Sequence, residues 1–559
     1  MPTIKKQASS KSTKQHPNKS ICTQAHLEIA RTIPRPIIQE YQSSISSGIN
    51  KFISNHKSKL QNLLDTSSAI QSNHPTQSPI SSLSIQSTKS PHTAQLRVVC
   101  RHLHLADDSE AAPFKIPSFI DIFQHLITLS AITKQLTTDE LAELKRILSL
   151  PSRHDIYQSL HHSPVGNRLA LVYASVGHQI DLTQQFPTTD FHSLLFNSFT
   201  SYTILELIET QMNHISICTL TYAGKKYPNF LYIFHHGRPK VGKLTRTSLL
   251  DRLEVDKIAE QIARRVMFLG DVIQSKELPN RLIIFLTDAK KEIDNTLEHQ
   301  AHFRALNVNT AVTNMHDIII YRREELYKSI FHELIHFHNL DFKRLPAEIN
   351  TMLLEYLHRT HNISPENEYL LYEAITESLA NTLNAAYLSR GMRDFSRNLA
   401  REILFSTFQA AKILQVCGYS SWSEFTLQKE IPSNPSGGKQ WRQDSCVFSY
   451  YILKLYILLN LDTYWTNLLD TRMKFLTIKS HFTYLLNIFN NGRVNPQLRN
   501  IIDYLLIANS NNNNNTNNTS GSYKKPNKTN NITLSKHDIK RDITQDKINK
   551  TLRMTCLDG

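Results

Sequence analysis

Apolar residues recur along the middle of the chain with two different periods, which predicts an α+β protein. Short runs rich in β-branched and aromatic residues predict strands at 96–105, 215–222, 229–236, 281–288, 306–313 and 317–322. Longer stretches with helical spacing predict helices at 117–149, 247–269, 324–340, 346–359, 365–390, 396–416, 445–460 and, in pieces, 462–508. The fold is therefore expected to be a small mixed sheet followed by a mainly helical subdomain.

The two ends of the chain lack this periodicity. Ser and Gln dominate residues 67–92, and asparagine dominates 509–522. Such segments bury too little apolar surface to fold by themselves, so both ends are predicted to be disordered. One amphipathic helix is still predicted in the N-terminal region, from the helical spacing of Ile45, Ile49, Phe52, Ile53, Leu60 and Leu64.

Positive charge is concentrated at the two ends. The chain has a net charge of +15, and residues 1–95 and 509–559 account for nearly all of it. Such tails are expected to be solvated, with weak contact to nucleic acid or another polyanion as the alternative.

The cysteines and the hydropathy indicate the compartment in which the protein is expected. Six scattered cysteines contain no C-x-x-C pair, which predicts neither a disulfide framework nor a cysteine-ligated zinc site and fits a reducing compartment. The most apolar stretch, 448–461, is too short for a membrane span and contains Lys454. Without a recognisable secretory signal, an intracellular, cytoplasmic location is expected.

A candidate metal site lies in the helix predicted at 324–340. His332, Glu333 and His336 form the pattern His-Glu-x-x-His. On a helix, His332 and His336 share one face and can bind one cation, while Glu333 lies beside a water on that cation. Zinc held by three protein groups keeps a fourth position for such a water. A half-buried helix whose histidines are ordinary core residues is the alternative.

The third ligand has to come from elsewhere in the chain. A histidine in the pattern H-x-x-G-x-x-H is excluded, because Asn339 and Phe342 occupy those positions. The remaining candidates are later glutamates, namely Glu348, Glu355, Glu373 and Glu377. Glu373 and Glu377 lie one helical turn apart among small residues, which allow two helices to approach closely enough to share an ion. One of these carboxylates can then bind zinc while the other accepts the N–H of a ligand histidine.

The segment His332-Glu333-x-x-His336 followed by Glu373-Ala-Ile-Thr-Glu377 resembles the gluzincin metallopeptidases, which include the thermolysin-like enzymes, over about residues 300–390. This resemblance implies one Zn²⁺ per chain, with Glu373 as the third ligand and Glu377 supporting a ligand histidine. The separation of His336 from Glu373 is longer than in the thermolysin-like enzymes. Glu355 stands at the shorter spacing of another gluzincin branch and remains the alternative ligand.

The resemblance also implies a fold and further roles. It implies a zincin-like core in which the sheet edge formed by 306–313 and 317–322 binds an extended substrate. A downstream Tyr, His or Arg usually stabilises the oxyanion, and Tyr450 and Tyr451 are the candidates here; His338 faces away and is not expected to be a ligand. The expected domains are a mostly disordered region 1–95, an α/β domain 96–300, a catalytic core 301–420, a helical subdomain 421–508 and a disordered Asn-rich tail 509–559.

The leading interpretation is a zinc metallopeptidase that cleaves a protein or peptide substrate, with Glu333 as general base. The alternatives are a protein whose basic tails bind a polyanion and a degenerate peptidase with a structural role. The asparagine tract and the high Ile, Asn and Lys content indicate an AT-rich genome, such as that of a large DNA virus or a protist. A viral source would allow packaging into the virion. Substrate identity and oligomeric state are left open.

Overall fold

The computed structural model of the chain describes sixteen residue ranges or single positions. They are 25, 32–72, 96–105, 118–182, 185–186, 195–197, 199–236, 247–294, 297, 301–314, 316–341, 347–367, 369–427, 441–470, 478–517 and 550–557. Most of the tail residues on which the predicted polyanion contact rests lie outside these ranges.

A central sheet organises the first half of the chain. Its strands are β1 (Arg97–His104), β2 (His214–Tyr222), β3 (Lys225–His235), β4 (Arg281–Phe285), β6 (Ala311–Asn314) and β7 (Asp317–Ile320). They run in the order β1-β2-β3-β4-β7-β6. The first three strands are antiparallel, β4 is parallel to both of its neighbours, and β6 is antiparallel to β7. Two short strands, β5 (His302–Phe303) and β8 (Arg442–Gln443), pair with each other in parallel.

Helices cover both faces of this sheet. One face carries α2 (Phe119–Leu126), α3 (Ser130–Thr133), α4 (Thr138–Leu148), α5 (Arg153–His162), α6 (Pro164–Val176) and α7 (Tyr202–Gln211). Side chains alternate between the two faces along β4: Ile283 and Phe285 join the core of this first layer, whereas Leu282 and Ile284 join the core on the other side. Burial on both sides explains the continuous apolar run in this strand.

The second layer contains most of the remaining helices. They are α1 (Arg35–Ser72), α8 (Thr247–Ile273), α9 (Ala305–Val308), α10 (Leu326–Phe337), α11 (Ala347–Thr360), α12 (Tyr372–Tyr387), α13 (Met392–Val416), α14 (Trp422–Phe425), α15 (Lys454–Leu459), α16 (Leu461–Asp470), α17 (Ile478–Arg493) and α18 (Pro496–Asn517). A π-helical turn at Phe448–Leu453 leads into α15. The predicted mixture of helices and sheet is confirmed.

Two predicted elements differ in extent. The helix predicted at 365–390 begins only at Tyr372, because Ser364 accepts a hydrogen bond from the Glu366 amide and Ile363 pairs with Trp441. The strand predicted at 306–313 is divided into the short helix α9 and the four-residue strand β6.

The helix predicted near the N-terminus is present and long. α1 buries Ile45, Ile49, Phe52, Leu60 and Leu64, as the helical spacing predicted. Its Tyr41 hydroxyl lies 2.7 Å from Thr407 Oγ1, within the buried interface with α13. The predicted disorder of region 1–95 therefore does not extend to 35–72, where the predicted helix lies, because one apolar stripe suffices when a helical layer covers it.

The prediction of a disordered tail is also wrong at its far end. All six residues of 551–556 are buried in the second layer. This stretch is too short to show a helical or strand period, and its burial depends on hydrogen bonds to side chains far away in sequence. The burial of 551–556 therefore could not be predicted from sequence periodicity.

Strand pairing across residue 300 and one disulfide contradict two other predictions. The sheet joins β4 to β7 and β6, so it crosses the predicted domain boundary at 300. Cys100 and Cys218 face each other across β1 and β2 and form a disulfide, although the scattered cysteines predicted none. Among the described residues, no helix combines the length and the apolar character that crossing a membrane requires.

Candidate metal centre

The His-Glu-x-x-His segment lies on α10, which is buried between the sheet and the helices of the second layer. Ile330, Leu334 and Ile335 are fully buried, and Phe331 packs edge-on against Phe268 of α8. The helix follows directly after β7, and Glu325 precedes it with a left-handed backbone (φ 60°). This packing fixes the helix axis, so the helical spacing brings His332 and His336 to one side.

Three side chains converge beside α10. The Nε2 atoms of His332 and His336 lie 3.1 Å apart. Glu373 Oε2, from α12, lies 3.3 Å from His332 Nε2 and 3.5 Å from His336 Nε2. Ligands of a tetrahedral zinc ion at their usual distances are roughly 3.3–3.6 Å apart. The three atoms therefore have the spacing of one face of a tetrahedral coordination shell.

Glu373 Oε2 lies between the two Nε2 atoms without a hydrogen bond to either. It is buried and has no hydrogen-bond partner among the described residues. A buried carboxylate oxygen without a donor is costly unless a cation lies beside it. The residues therefore fit a metal ion, and zinc suits a set of two imidazoles and one carboxylate.

Two further carboxylates bind the Nδ1 atoms of the two imidazoles. Glu377 Oε2 lies 2.8 Å from His332 Nδ1, and Asp341 Oδ2 accepts a hydrogen bond from His336 Nδ1. A carboxylate can only accept in these bonds, so each Nδ1 carries the proton and each Nε2 keeps its lone pair free for a metal. Lys328 in turn places its ammonium 2.8 and 2.9 Å from the two oxygens of Glu377.

The electrostatics of the cluster favour a cation. Burial alone would lower the pKa values of His332 and His336, but hydrogen bonds and charge from the surrounding carboxylates outweigh it and raise both. Burial would raise the pKa values of Glu373 and Glu377, but the facing imidazoles and Lys328 lower them. Both glutamates therefore stay ionised. Their negative charge favours a proton or a metal ion between the two imidazoles.

Glu333 lies at the border of a small cavity. Its Oε2 accepts a hydrogen bond of 2.7 Å from the hydroxyl of Thr313, a residue of the edge strand β6. The cavity has a volume of about 90 Å³, and β6, the three converging side chains, Glu333 and Tyr450 line it. This is enough space for water beside Glu333.

The structure separates the predicted site residues into two groups. Glu373 and Glu377 join the histidines, whereas Glu355 is exposed on α11 and lies apart from the cluster. Tyr450 lines the cavity with its ring 6.0 Å from that of His332. Tyr451 instead points away from the cavity and donates its hydroxyl to the Leu552 carbonyl.

His338 lies at the end of α10, apart from the cluster of His332, His336 and Glu373. It packs against Phe337 rather than facing the two ligand candidates. Burial lowers its pKa to about 4, which keeps it neutral near pH 7.

The chain is similar to a protein of a large DNA virus. An uncharacterised protein of Acanthamoeba polyphaga mimivirus, named R210, is 27% identical to the chain over 212 residues. The match covers 34% of this chain and 50% of the mimivirus protein, so the chain spans about half the length of that relative. No protein family model and no solved structure matches the chain. The similarity suggests a viral origin, one of the two sources that the composition indicated.

Sequence reasoning missed three supporting residues of the site. Lys328 lies one helical turn before His332, and a lysine on a buried face is a signal that an acidic partner is near. Asp341 follows His336 by five residues, beyond the helix end, where helical spacing no longer predicts its direction. Thr313 belongs to the predicted strand, but only the tertiary structure brings it to Glu333.

Proposed function

We propose that the protein is a zinc-dependent metallopeptidase of the gluzincin type. In this proposal His332, His336 and Glu373 bind the zinc and Glu333 is the general base. The observation that supports it most is the buried Glu373 Oε2, which has no donor and faces the Nε2 atoms of both histidines. A zincin-like core, in which α10 packs against the sheet beside the edge strand β6, is part of the same proposal.

Three residues that line the cavity, Glu333, Thr313 and Tyr450, have distinct roles in the proposed peptide hydrolysis. Bound zinc would polarise the scissile carbonyl and make a water acidic. Glu333 takes a proton from the attacking water and delivers it to the leaving amine, since its carboxylate borders the cavity. Thr313 orients Glu333 through their 2.7 Å hydrogen bond. Tyr450 is placed to donate its hydroxyl to the oxyanion, because its ring lies beside His332 and it lines the cavity.

Substrate binding is assigned to strand β6. β6 is one of the two edge strands of the sheet, and among the described strands it pairs only with β7. Residues Val308 to Thr313 also line the cavity. A free strand edge binds an extended peptide through backbone hydrogen bonds, which would place a peptide bond beside Glu333.

Metal analysis of the full chain tests this assignment. We expect one zinc per wild-type chain and a loss of zinc affinity of at least about 100-fold in Glu373→Gln, because the amide loses the ligand charge. Glu355→Gln is the matched control, since it changes an exposed acid on α11 and is expected to bind zinc like the wild type. A chain that binds no zinc, or a Glu373→Gln variant with unchanged affinity, would contradict the proposal.

The two neighbouring tyrosines are expected to respond differently to removal of the hydroxyl. Tyr450→Phe should lower kcat for peptide hydrolysis by about 100-fold, because it removes one donor to the oxyanion. Tyr451→Phe should leave kcat unchanged and lower the free energy of unfolding by about 1 kcal/mol, because it removes a buried hydrogen bond. Steady-state kinetics and urea unfolding measure the two effects. Equal kcat values in both variants would remove Tyr450 from the mechanism.

A further inference from the structure

The segment 550–557 passes through the interior of the second layer instead of lying on the surface. Glu292 and Thr551 form an isolated antiparallel bridge, and the Leu552 amide donates to the Lys291 carbonyl at 2.7 Å. Beyond this point the segment pairs with no strand among the described residues. Most of its remaining backbone groups are instead bound by the side chains of Glu325 and of the surrounding helices, which form a channel around it.

Two buried glutamates bind the amides of the segment. Glu325 Oε1 accepts from the amides of Met554 and Thr555 at 2.5 and 2.6 Å. Glu402 Oε1 accepts from the next two amides, those of Cys556 and Leu557, at 3.0 and 3.1 Å. Hydrogen bonds to buried ionised carboxylates are about twice as strong as neutral ones. Consecutive amides are therefore bound in pairs, and the Thr555 hydroxyl also donates to Glu402 Oε1.

Buried donors bind the carbonyls. The Met554 carbonyl accepts from Lys454 Nζ at 3.0 Å and from Asn381 Nδ2 at 3.1 Å. The Arg553 carbonyl accepts from Gln409 Nε2 at 2.6 Å, and the Thr551 carbonyl accepts from Lys412 Nζ. Long polar side chains are rarely buried without partners, and here a peptide backbone supplies those partners. The channel has the chemistry of a peptide-binding site.

The channel adjoins the candidate metal centre. Met554 lines the same cavity as Glu333, and its Sδ lies 3.9 Å from Lys328 Nζ. Lys328 binds Glu377, which binds His332. A change at Met554 therefore reaches His332, a candidate zinc ligand, through three successive contacts.

From this arrangement we infer that the channel is a peptide-binding site whose ligand is the chain's own segment 550–557. The segment acts as an internal ligand that holds Lys328, and through it Glu377 and His332, in the geometry needed to bind a metal. The part concerning the metal rests on the proposed function, whereas the peptide-binding part stands without it.

Cleavage of the connecting residues in the folded full chain tests this inference. A recognition site for a sequence-specific protease, inserted within 525–535, separates the segment from α18 after folding. We expect the cleaved fragment to co-elute with the body in size-exclusion chromatography and a labelled synthetic peptide of residues 548–559 to exchange into the channel. A fragment that separates from a body with unchanged thermal unfolding would overturn the inference.

Two modified peptides distinguish backbone recognition from nonspecific association. N-methylation at Thr555 removes a donor to Glu325 and should weaken binding about 10- to 100-fold. N-methylation at Arg553 is the matched control, because that amide points to Thr551 Oγ1 of the same segment at 3.4 Å, and it should have a smaller effect. Equal affinities of both modified peptides and the unmodified peptide would contradict the assigned contacts.

Zinc titration of the cleaved chain, with and without the fragment, tests the connection to the metal centre. We expect removal of the fragment to lower zinc affinity about 10-fold or more, as loss of support behind a ligand does. An unchanged affinity would refute the role of the segment in the site. A chain that binds the peptide but no zinc would instead refute the proposed function and leave the peptide channel supported.

Discussion

Replacement of Glu333 by glutamine is expected to lower kcat for peptide hydrolysis by about 10³-fold while leaving one zinc bound per chain. Glutamine has nearly the same shape and its carbonyl oxygen still accepts the hydrogen bond from Thr313, but it cannot take a proton from water. Because Glu333 does not belong to the cluster of His332, His336 and Glu373, zinc affinity should be unchanged. A quenched fluorescent peptide library and metal analysis of the same sample measure both quantities.

The control for this variant is Thr313→Val, which keeps the carboxylate and removes the hydroxyl that orients it. We expect kcat to fall by only about 10-fold, with zinc binding unchanged. A Glu333→Gln variant that keeps more than a tenth of wild-type activity would rule out Glu333 as the general base. Loss of zinc in that variant would show that Glu333 is needed to hold the metal.

Replacement of Glu377 by leucine is expected to destabilise the protein by about 3–5 kcal/mol, since it leaves the buried ammonium of Lys328 without its carboxylate. The same change removes the acceptor of His332 Nδ1 and should weaken zinc binding by about 10- to 100-fold. Urea unfolding gives the first quantity, and competition with a zinc indicator gives the second.

The double variant Lys328→Met with Glu377→Leu separates the two effects. Removal of both charges should restore most of the stability, because no unpaired buried charge remains. Zinc affinity should stay low, because His332 still lacks its acceptor. Glu348→Leu, at an exposed position on α11, is the surface control and should change neither quantity. Full zinc affinity in the double variant would contradict the role of Glu377.

Local patterns in the sequence were sufficient for the α10 part of the site. His332, Glu333 and His336 lie within five residues, so one helical turn determines their relative positions. The same reasoning placed Glu373 and Glu377 on one face of a second helix. It also identified α1 from its apolar stripe, although it treated most of that region as disordered.

Choosing among the distant glutamates required the tertiary structure. Glu355 and Glu373 both lie on helices, and helical spacing does not say which helix crosses α10. The packing of α12 against α10 brings Glu373 to the histidines and leaves Glu355 in solvent. The spacing between motifs was ambiguous because it depends on the length of the intervening chain, which loops can change without moving the helices.

The sequence by itself therefore determined the helices, most strands and the residue types able to bind a metal, because these depend on neighbours a few positions away. Only the tertiary structure decided the support from Asp341 and Lys328, the continuation of the sheet past residue 300, the Cys100–Cys218 pair and the burial of 550–557. These features depend on backbone and side-chain hydrogen bonds, or on strand pairing, between parts of the chain that local periodicity does not connect.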